Sequence, residues 1–508
     1  MQFSDEVLDG AAVESVWRKS QESRCDSRSC QTIPIATKEA ASQVSSVSEA
    51  STQTERRRDP GVLDVDLGPL LDYPNLAEFL GRVEGAMIRE LKKNRRSHAF
   101  DGFVVNWEEQ NELVSCLYSL RYPDASERQL EVTSVTWNCT GSVVACSYGR
   151  LGDGDWSTEK SYVCTWNLDR RGLNPNQPDV TIEATSSVMC LAFHPSKPSL
   201  IAGGLFTGEV LVWDTSRTDD PLVGRTGLTQ DTHTDAVYQV CWMPDKPQSH
   251  KPQVLSISTD GKILTWQMEK EGQLVLQDGY ALVAQQIPSN TKINKHGRGD
   301  TAVGVTCLSF SHFDPTLFIV GVEGGYLLKC FSGAQTSALT STASSVPLKA
   351  PAQFTFSPHG GPVYCVDCSP FHRNLFLSGG TDGNAHLYSM LQAKPISSLQ
   401  LSEKYIFGVR WSPVRPLVFA AASGHGELLL FDLAKSSQKP SLSIKQTDDG
   451  RPVYCLEFNR TQTQLLASGD ATGVVKIWQL SSDFTEQGPR ELVLLDEVAS
   501  EVTDRSLM

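Results

Sequence analysis

From about residue 130 onward, the hydrophobic positions repeat a fixed order of short segments. The clearest copy covers residues 188–214 and contains an alternating strand that ends at Phe193, a small-residue strand, a glycine turn and a strand that ends at Trp213. Residues 453–478 follow the same order. Alternation of apolar and polar residues predicts strands with one buried face, and glycine between two such runs predicts a hairpin.

The third strand ends in an aromatic side chain in six units and in a cysteine in one, which gives seven terminal positions. They are Trp166, Trp213 (followed by Asp214), Trp266, Cys330, Tyr388, Phe431 and Trp478, at spacings of 43 to 64 residues. These spacings fit four-stranded propeller blades with some long loops. A lone four-stranded sheet leaves both faces exposed, whereas a ring of sheets covers each face with a neighbour. The pattern therefore predicts an all-β fold with a seven-bladed β-propeller over residues 130–482.

Closure of the ring needs a further strand. A propeller closes best when one blade takes strands from both ends of the domain, because no edge is then left free. Residues 98–129 form a connector, and its apolar run at 113–122 predicts the closing strand.

Residues 75–97 show a helical period instead. Apolar side chains recur there at steps of three and four, which places them on one helix face. They are Leu76, Phe79, Leu80, Val83, Met87, Ile88 and Leu91. Gly81 and Gly85 each weaken the helix by about 1 kcal/mol relative to alanine, so it needs a partner. The helix either packs on its own domain or docks another subunit; its position between the N-terminal arm and the folded body favours docking.

The two ends of the chain are more polar. Residues 1–74 are rich in Ser, Thr, Gln, Glu and Arg and cannot bury enough apolar surface to offset chain entropy, which predicts a disordered arm. The acidic tail at 483–508 has Leu492, Leu495 and Val502 near helical spacing. It is a docking segment or a soluble end, and the second reading is favoured.

Composition excludes several function classes. The 508 residues carry 45 basic and 59 acidic side chains, a net charge of −14, which argues against nucleic-acid or anionic-membrane binding. No stretch approaches the roughly 20 apolar residues that membrane insertion needs, and the first residues do not resemble a secretory signal. The 13 cysteines lie in apolar runs, which is typical of reduced, buried thiols in a cytoplasmic protein.

No enzyme chemistry is evident in the sequence. A phosphate-binding loop and a nucleophile elbow are both missing. Cys365 and Cys368 form a C-x-x-C pair inside a predicted strand without a second pair, so core packing is favoured over metal binding. His233 and His359 are expected to tie strands together. The prediction is therefore of no catalytic residue, no cofactor and no metal site.

The repeats resemble the WD-repeat family over about residues 130–480. Trp213-Asp214 is a full Trp-Asp pair and Phe431-Asp432 is a near match. His233 and His359 occupy the usual place of the family's Gly-His histidine.

The arm contains two similar short elements. They are Arg28-Ser29-Cys30-Gln31-Thr32 and Ser51-Thr52-Gln53-Thr54. Extended peptides of this type can add as a strand to the edge of a sheet. Both resemble the recognition element bound by LC8-type dynein light chains, and two such elements followed by an amphipathic helix and a propeller resemble a dynein intermediate chain.

A more specific resemblance is to the intermediate chains of cytoplasmic dynein 2, the WD-repeat subunits of the retrograde intraflagellar-transport motor. Residues 89–103, 106–107, 149–151, 154–157, 231–235, 354–361 and 369–376 carry it. The resemblance implies that the propeller binds the dynein 2 heavy chain, the arm elements bind LC8-type light chains, and the helix binds a roadblock-type light chain. It further implies pairing with a second dynein 2 intermediate chain, with intraflagellar-transport trains as a further candidate partner.

By the same resemblance the function is retrograde transport and cilium assembly, in the cytoplasm, the centrosome and the cilium, including its axoneme and basal body. The main alternative is a WD-repeat scaffold or ubiquitin-ligase substrate receptor unrelated to dynein, which gives no reason for the tandem Gln-Thr elements. A histone- or nucleic-acid-binding propeller is disfavoured by the charge.

Overall fold

The computed structural model describes part of the chain, in two separate units. The described residues are 74–96, 113–150, 160–243, 252–269, 272–288, 301–340, 344–435 and 439–505. The units are residues 1–105 and 106–508. The predicted disordered arm and its elements at 28–32 and 51–54 lie outside the described residues.

The first unit contributes one described helix, α1, which spans Pro74–Arg96. Its limits differ by one residue from the predicted 75 and 97. Proline suits the first turn, because its missing N–H would have no intrahelical partner there.

The described residues of the second unit form seven four-stranded antiparallel sheets, which confirms the predicted seven-bladed propeller. The first strand of each sheet contacts the first strands of the two neighbouring sheets, so these seven strands surround the central channel. These innermost strands are β2 (Glu131–Trp137), β6 (Val188–Phe193), β10 (Val237–Trp242), β14 (Val305–Phe310), β18 (Val363–Cys368), β22 (Ile406–Trp411) and β26 (Val453–Phe458). We number the blades 1 to 7 in this order.

The remaining strands follow outward in each blade. The second strands are β3 (Val143–Gly149), β7 (Leu200–Leu205), β11 (Gln253–Ser258), β15 (Leu317–Val322), β19 (Leu375–Gly380), β23 (Val418–Ser423) and β27 (Leu465–Asp470). The third strands are β4 (Ser161–Asn167), β8 (Val210–Asp214), β12 (Lys262–Met268), β16 (Leu327–Phe331), β20 (Asn384–Ser389), β24 (Glu427–Asp432) and β28 (Val474–Leu480). The outer strands of blades 1 to 6 are β5 (Val180–Ala184), β9 (Leu222–Arg225), β13 (Leu274–Ala281), β17 (Ala352–Thr355), β21 (Ser397–Gln400) and β25 (Leu442–Lys445).

Blade 7 takes its outer strand from the other end of the unit. Strand β1 (Val114–Arg121) pairs antiparallel with β28, and Leu120 lies opposite Val475. This strand comes from the apolar run at 113–122. Leu120 is fully buried in a cluster that also contains blade 1 residues such as Val132 and Trp166. The strand therefore joins the last blade to the first.

The bulky ends of the third strands pack between the blades. Trp166, Trp213, Trp266, Cys330, Tyr388, Phe431 and Trp478 are all buried. Asp214 is only partly buried and accepts hydrogen bonds from Ser216. The seven predicted positions are thus core positions of the propeller.

Short helices complete the second unit. They are α2 (Pro123–Glu127), a 3-10 turn (Ala284–Gln286), α3 (Ser482–Thr485) and α4 (Glu491–Arg505). Within the described ranges, each helix is too short or too polar to cross a lipid bilayer.

The C-terminal segment corrects one expectation. A soluble end was favoured for residues 483–508, but Leu495 of α4 is fully buried in a cluster with blade 5 and blade 6 residues such as Leu375 and Phe419. The neighbouring Leu492, Val493 and Leu494 remain exposed. Val498 and Ala499 are partly buried against the same cluster, so one face of the helix contacts the propeller.

Candidate interaction surfaces

Helix α1 presents an exposed apolar face. Phe79, Leu80, Met87, Ile88 and Leu91 are between 42% and 63% exposed, and Val83 is partly buried. The side chain of Leu76 lies outside the described part of the helix. An exposed stripe of this size on one helix face is typical of a surface that another protein covers. The structure thus brings the described members of the predicted roadblock-type site onto one accessible surface.

Two histidines of the propeller form matching hydrogen-bond chains, as the sequence predicts. In blade 3, the indole N–H of Trp266 donates to Ser256 Oγ at 2.8 Å, and Ser256 lies 2.7 Å from Nε2 of His233. Nδ1 of His233 lies 3.1 Å from the carboxylate of Asp260. Burial favours the neutral acid, but the hydrogen bond from His233 holds the pKa of Asp260 below its ordinary value. The chain fixes the loop before β10 to the hairpin between β11 and β12.

The equivalent chain in blade 5 has one additional histidine. His359 contacts Asp382 at 3.1 Å and Ser378 at 2.7 Å, and the ring of His386 lies 4.1 Å from that of His359. The ligand atoms of His359, Asp382 and His386 lie within 4.8 Å of one another. Both nitrogens of His359 are already hydrogen-bonded, so it could bind a metal ion only by breaking the chain. We therefore assign these residues a structural role.

Cys365 and Cys368 lie in the core of the propeller. Both lie in β18 and are buried, with Cys368 Sγ against Ser309 O at 3.7 Å. Burial raises the pKa of each thiol to about 12, so neither is a thiolate at neutral pH. Core packing explains the pair.

The buried position of His386 is expected to make the propeller sensitive to acid. It occupies the strand position of Leu264 in blade 3 and Leu429 in blade 6, and its Nδ1 is buried without a hydrogen-bond partner. Burial and the neighbouring His359 lower the pKa of His386 from 6.5 to about 4. The unfolded chain therefore binds this proton more readily than the folded chain, and stability falls as the pH drops below 6.5.

We expect His386→Leu to remove this part of the acid sensitivity. At about pH 5 the variant should be more stable than the wild-type chain by about 2 kcal/mol, with a smaller gain at neutral pH. Thermal unfolding followed by circular dichroism at both pH values measures the difference. The control is His425→Leu at an exposed position, which removes no buried imidazole and should give no comparable gain at pH 5. An equal effect of both substitutions would contradict the assignment.

Several other predicted residues stay predictions. The arm residues Arg28 to Thr32 and Ser51 to Thr54 lie outside the described ranges.

The structure also reveals three aromatic side chains that the sequence reasoning missed. They are Tyr364, Phe407 and Tyr454, at the second position of three innermost strands. The repeated tripeptide Val-Tyr-Cys at 363–365 and 453–455 was the available signal.

Comparison with known proteins gives consistent matches. A family model described as the WD40 domain of dynein axonemal intermediate chain 3 matches residues 156–263, and the G-beta repeat model of the WD domain matches residues 351–389. The chain is 62% identical to a Mus musculus protein named cytoplasmic dynein 2 intermediate chain 2, over 99% of this chain and 93% of the relative. It is 63% identical to the Homo sapiens protein of that name, over 98% and 93% of the two chains. Dynein intermediate chain 3, ciliary, of Heliocidaris crassispina is 27% identical, over 83% and 65%.

Proposed function

The chain belongs to the family of cytoplasmic dynein 2 intermediate chains, and from this membership we propose that it is a non-catalytic subunit of the cytoplasmic dynein 2 motor. The observation that carries the proposal is identity of 62–63% over nearly the whole chain with two proteins of that name. In this role the chain acts in retrograde intraflagellar transport and cilium assembly. It would be found in the cytoplasm, the centrosome and the cilium, including the axoneme and basal body.

The propeller is the part that binds the heavy chain in this proposal. Seven sheets packed into a closed ring give a rigid body with a large surface, and such a surface suits the binding of an elongated partner. A rigid partner loses little conformational entropy on binding. Intraflagellar-transport trains are a further candidate contact.

The apolar face of α1 would bind a roadblock-type light chain. Exposed Leu80 and Ile88, with their neighbours on the same face, give the side chains that a partner's groove can accept. Apart from the adjoining residues and the backbone of the helix itself, no atom lies within 4 Å of the position a Cβ would occupy at Gly81 or Gly85, so the surface around them is open to a close approach. The helix would gain its stability from that contact.

The arm elements at 28–32 and 51–54 would bind LC8-type light chains as added strands. If these light chains are dimeric, each can join this arm to the arm of a second dynein 2 intermediate chain. Several weak contacts along one tether raise the effective concentration for the next contact, so the two arms stay together without one large interface.

We expect Leu80→Asp combined with Ile88→Asp to abolish binding of the roadblock-type light chain. Two carboxylates on the apolar face would have to be buried without partners, at a cost of several kcal/mol. The measurement is purification of the tagged full-length chain from ciliated cells, with quantitative mass spectrometry. The heavy chain and the LC8-type light chain should be recovered in unchanged amounts.

The matched control is Arg89→Asp with Lys92→Asp, two exposed residues on the polar face of α1. It adds the same two carboxylates and should retain the light chain. Gln31→Ala with Gln53→Ala should lose only the LC8-type light chain. Recovery of a ubiquitin-ligase adaptor or chromatin proteins instead of dynein heavy chain, from the wild-type chain, would refute the proposed function itself.

A further inference from the structure

A cavity lies between blades 2 and 3, on the face of the propeller where the innermost strands end. Its volume is about 460 Å³, which is within the range of sites that hold a small molecule or a few residues of a peptide. The lining residues come from the turn between β6 and β7, the turn between β8 and β9, the ends of the third strands and β9. Since no innermost strand lines it, the cavity is separate from the central channel.

The inner wall of the cavity is apolar. Leu200 is 7% exposed and belongs to the hydrophobic cluster that blades 2 and 3 share, and Val223 and Met268 are partly buried against the same cluster. The N–H of Arg225 donates to the carbonyl of Gly272 at 3.1 Å, which ties the outer strand of blade 2 to blade 3 beside this wall. The wall thus offers a fixed apolar surface to one side chain of a ligand.

Two cationic side chains, Lys197 and Arg217, stand on adjacent tight turns at the rim of the cavity. The N–H of Lys197 donates to Nδ1 of His194 at 3.2 Å, which holds the first turn. The N–H and the hydroxyl of Thr215 both donate to the carbonyl of Ser199, at 2.9 and 3.1 Å, and so join the second turn to the first. The backbone positions of both cations are therefore fixed before a ligand binds.

The rim carries more positive than negative charge. Lys197 and Arg217 are exposed and, in the part of the chain that the structure describes, neither forms an ion pair. Asp214 is the one carboxylate among the lining residues, and it accepts hydrogen bonds from the N–H and the hydroxyl of Ser216 at 3.0 and 2.6 Å. Because the whole chain has a net charge of −14, two unpaired cations beside one cavity do not reflect a generally basic surface.

We propose that this cavity binds an acidic, partly apolar peptide segment of a partner protein. One apolar side chain would pack against Leu200, Val223 and Met268, and the adjoining carboxylates would lie near Lys197 and Arg217. The apolar side chain loses contact with water, and the carboxylates gain a Coulomb attraction that a neutral peptide lacks. Since the turns are already fixed, binding costs little ordering of the loops. The inference goes beyond the proposed motor role and does not depend on it.

The test uses the full-length chain and short glycine–serine peptides with three central residues. These are Leu-Glu-Glu, Leu-Gln-Gln without the charges, or Gly-Glu-Glu without the apolar side chain. Saturation-transfer-difference NMR, which suits weak binding to a large protein, should show that the Leu-Glu-Glu peptide binds about tenfold more tightly than either of the others. Equal binding of the Leu-Gln-Gln peptide would show a merely apolar groove, and equal binding of the Gly-Glu-Glu peptide would show attraction by surface charge alone. Either result, or no binding of the Leu-Glu-Glu peptide at millimolar concentration, would overturn the proposal.

Variants locate the site. Lys197→Gln and Arg217→Gln should each weaken binding of the Leu-Glu-Glu peptide about threefold, and both together about tenfold. Both side chains are exposed, so the unfolding temperature should stay that of the wild-type chain. The matched control is Arg373→Gln with Lys394→Gln, two exposed cations on the equivalent turns of blade 5, and it should bind like the wild-type chain. An equal loss in this control would show that the peptide responds to the charge of the whole face and would refute the assignment.

Discussion

Leu120→Asp is expected to prevent closure of the propeller and to lower the free energy of unfolding by about 4 kcal/mol or more. Among the described residues, β1 is the only strand that reaches blade 7 from the N-terminal side of the second unit, and Leu120 lies on it. It is fully buried between Val475 of blade 7 and the first blade's core. A carboxylate there would lose its hydration without gaining a partner. Loss of β1 would also leave β28 as a free edge, which favours aggregation.

The matched control is Leu117→Asp on the same strand. Leu117 sits at the bulge of β1 and is 42% exposed, so the new carboxylate stays hydrated and the change should be within about 1 kcal/mol. Thermal unfolding by circular dichroism and the soluble fraction after size-exclusion chromatography measure both variants. If Leu120→Asp unfolds at the same temperature as the wild-type chain, closure of the propeller does not depend on this contact.

The repeating architecture was predictable because the same physical requirement recurs in every blade. Each third strand must place a bulky side chain between two sheets, so Trp166, Trp266 and Trp478 recur at nearly regular spacing. The hairpin before Lys262 likewise needs a positive φ, which Gly261 supplies at 81°. Requirements of this kind leave a periodic trace in the sequence.

The aromatic side chains at the second position of three innermost strands were not predictable in the same way. Tyr364, Phe407 and Tyr454 look like ordinary strand residues, since alternation assigns each to one face of its sheet. The strand register shifts at each of these positions, which marks a β-bulge. A bulge changes where the side chain points, and it is set by pairing with the neighbouring strand. The ring contacts also join blades whose residues are more than 40 positions apart, such as Phe407 and Tyr454. A single sequence does not specify such contacts.

The docking of α4 escaped prediction for a related reason. Three of its four consecutive apolar residues, Leu492 to Leu494, are exposed, so the pattern has a weak helical period. What seats the helix is Leu495 together with a buried ion pair between Glu491 and Arg415 of blade 6. These two charged residues lie 76 positions apart. Buried charges are rare, and no local pattern marks the arginine as one that will be paired.

Arg415→Ala is expected to release α4 from the propeller. The guanidinium donates to Glu491 and to the backbone carbonyl of Asp483, and lies 3.2 Å from Asp432. Both carboxylates are almost completely buried, so removing the arginine leaves two charges without a cation, a loss of about 3–5 kcal/mol. Hydrogen exchange of residues 491–505, measured by mass spectrometry, should rise sharply while exchange in blades 1 to 4 stays unchanged.

An exposed ion pair of the same segment provides the comparison. Nζ of Lys435 lies 3.9 Å from the carboxylate of Asp483, and both side chains are more than half exposed. Lys435→Ala should therefore change the free energy of opening of α4, as hydrogen exchange reports it, by less than about 1 kcal/mol. Glu491→Gln keeps an oxygen acceptor for Arg415, which still has Asp432, and should loosen the helix less than Arg415→Ala does. If hydrogen exchange in α4 is equally slow in all three variants, the contacts of Leu495 alone hold the helix on the propeller. If exchange in α4 rises only in Arg415→Ala, the contacts of the buried arginine are what hold the C-terminal helix on blade 6.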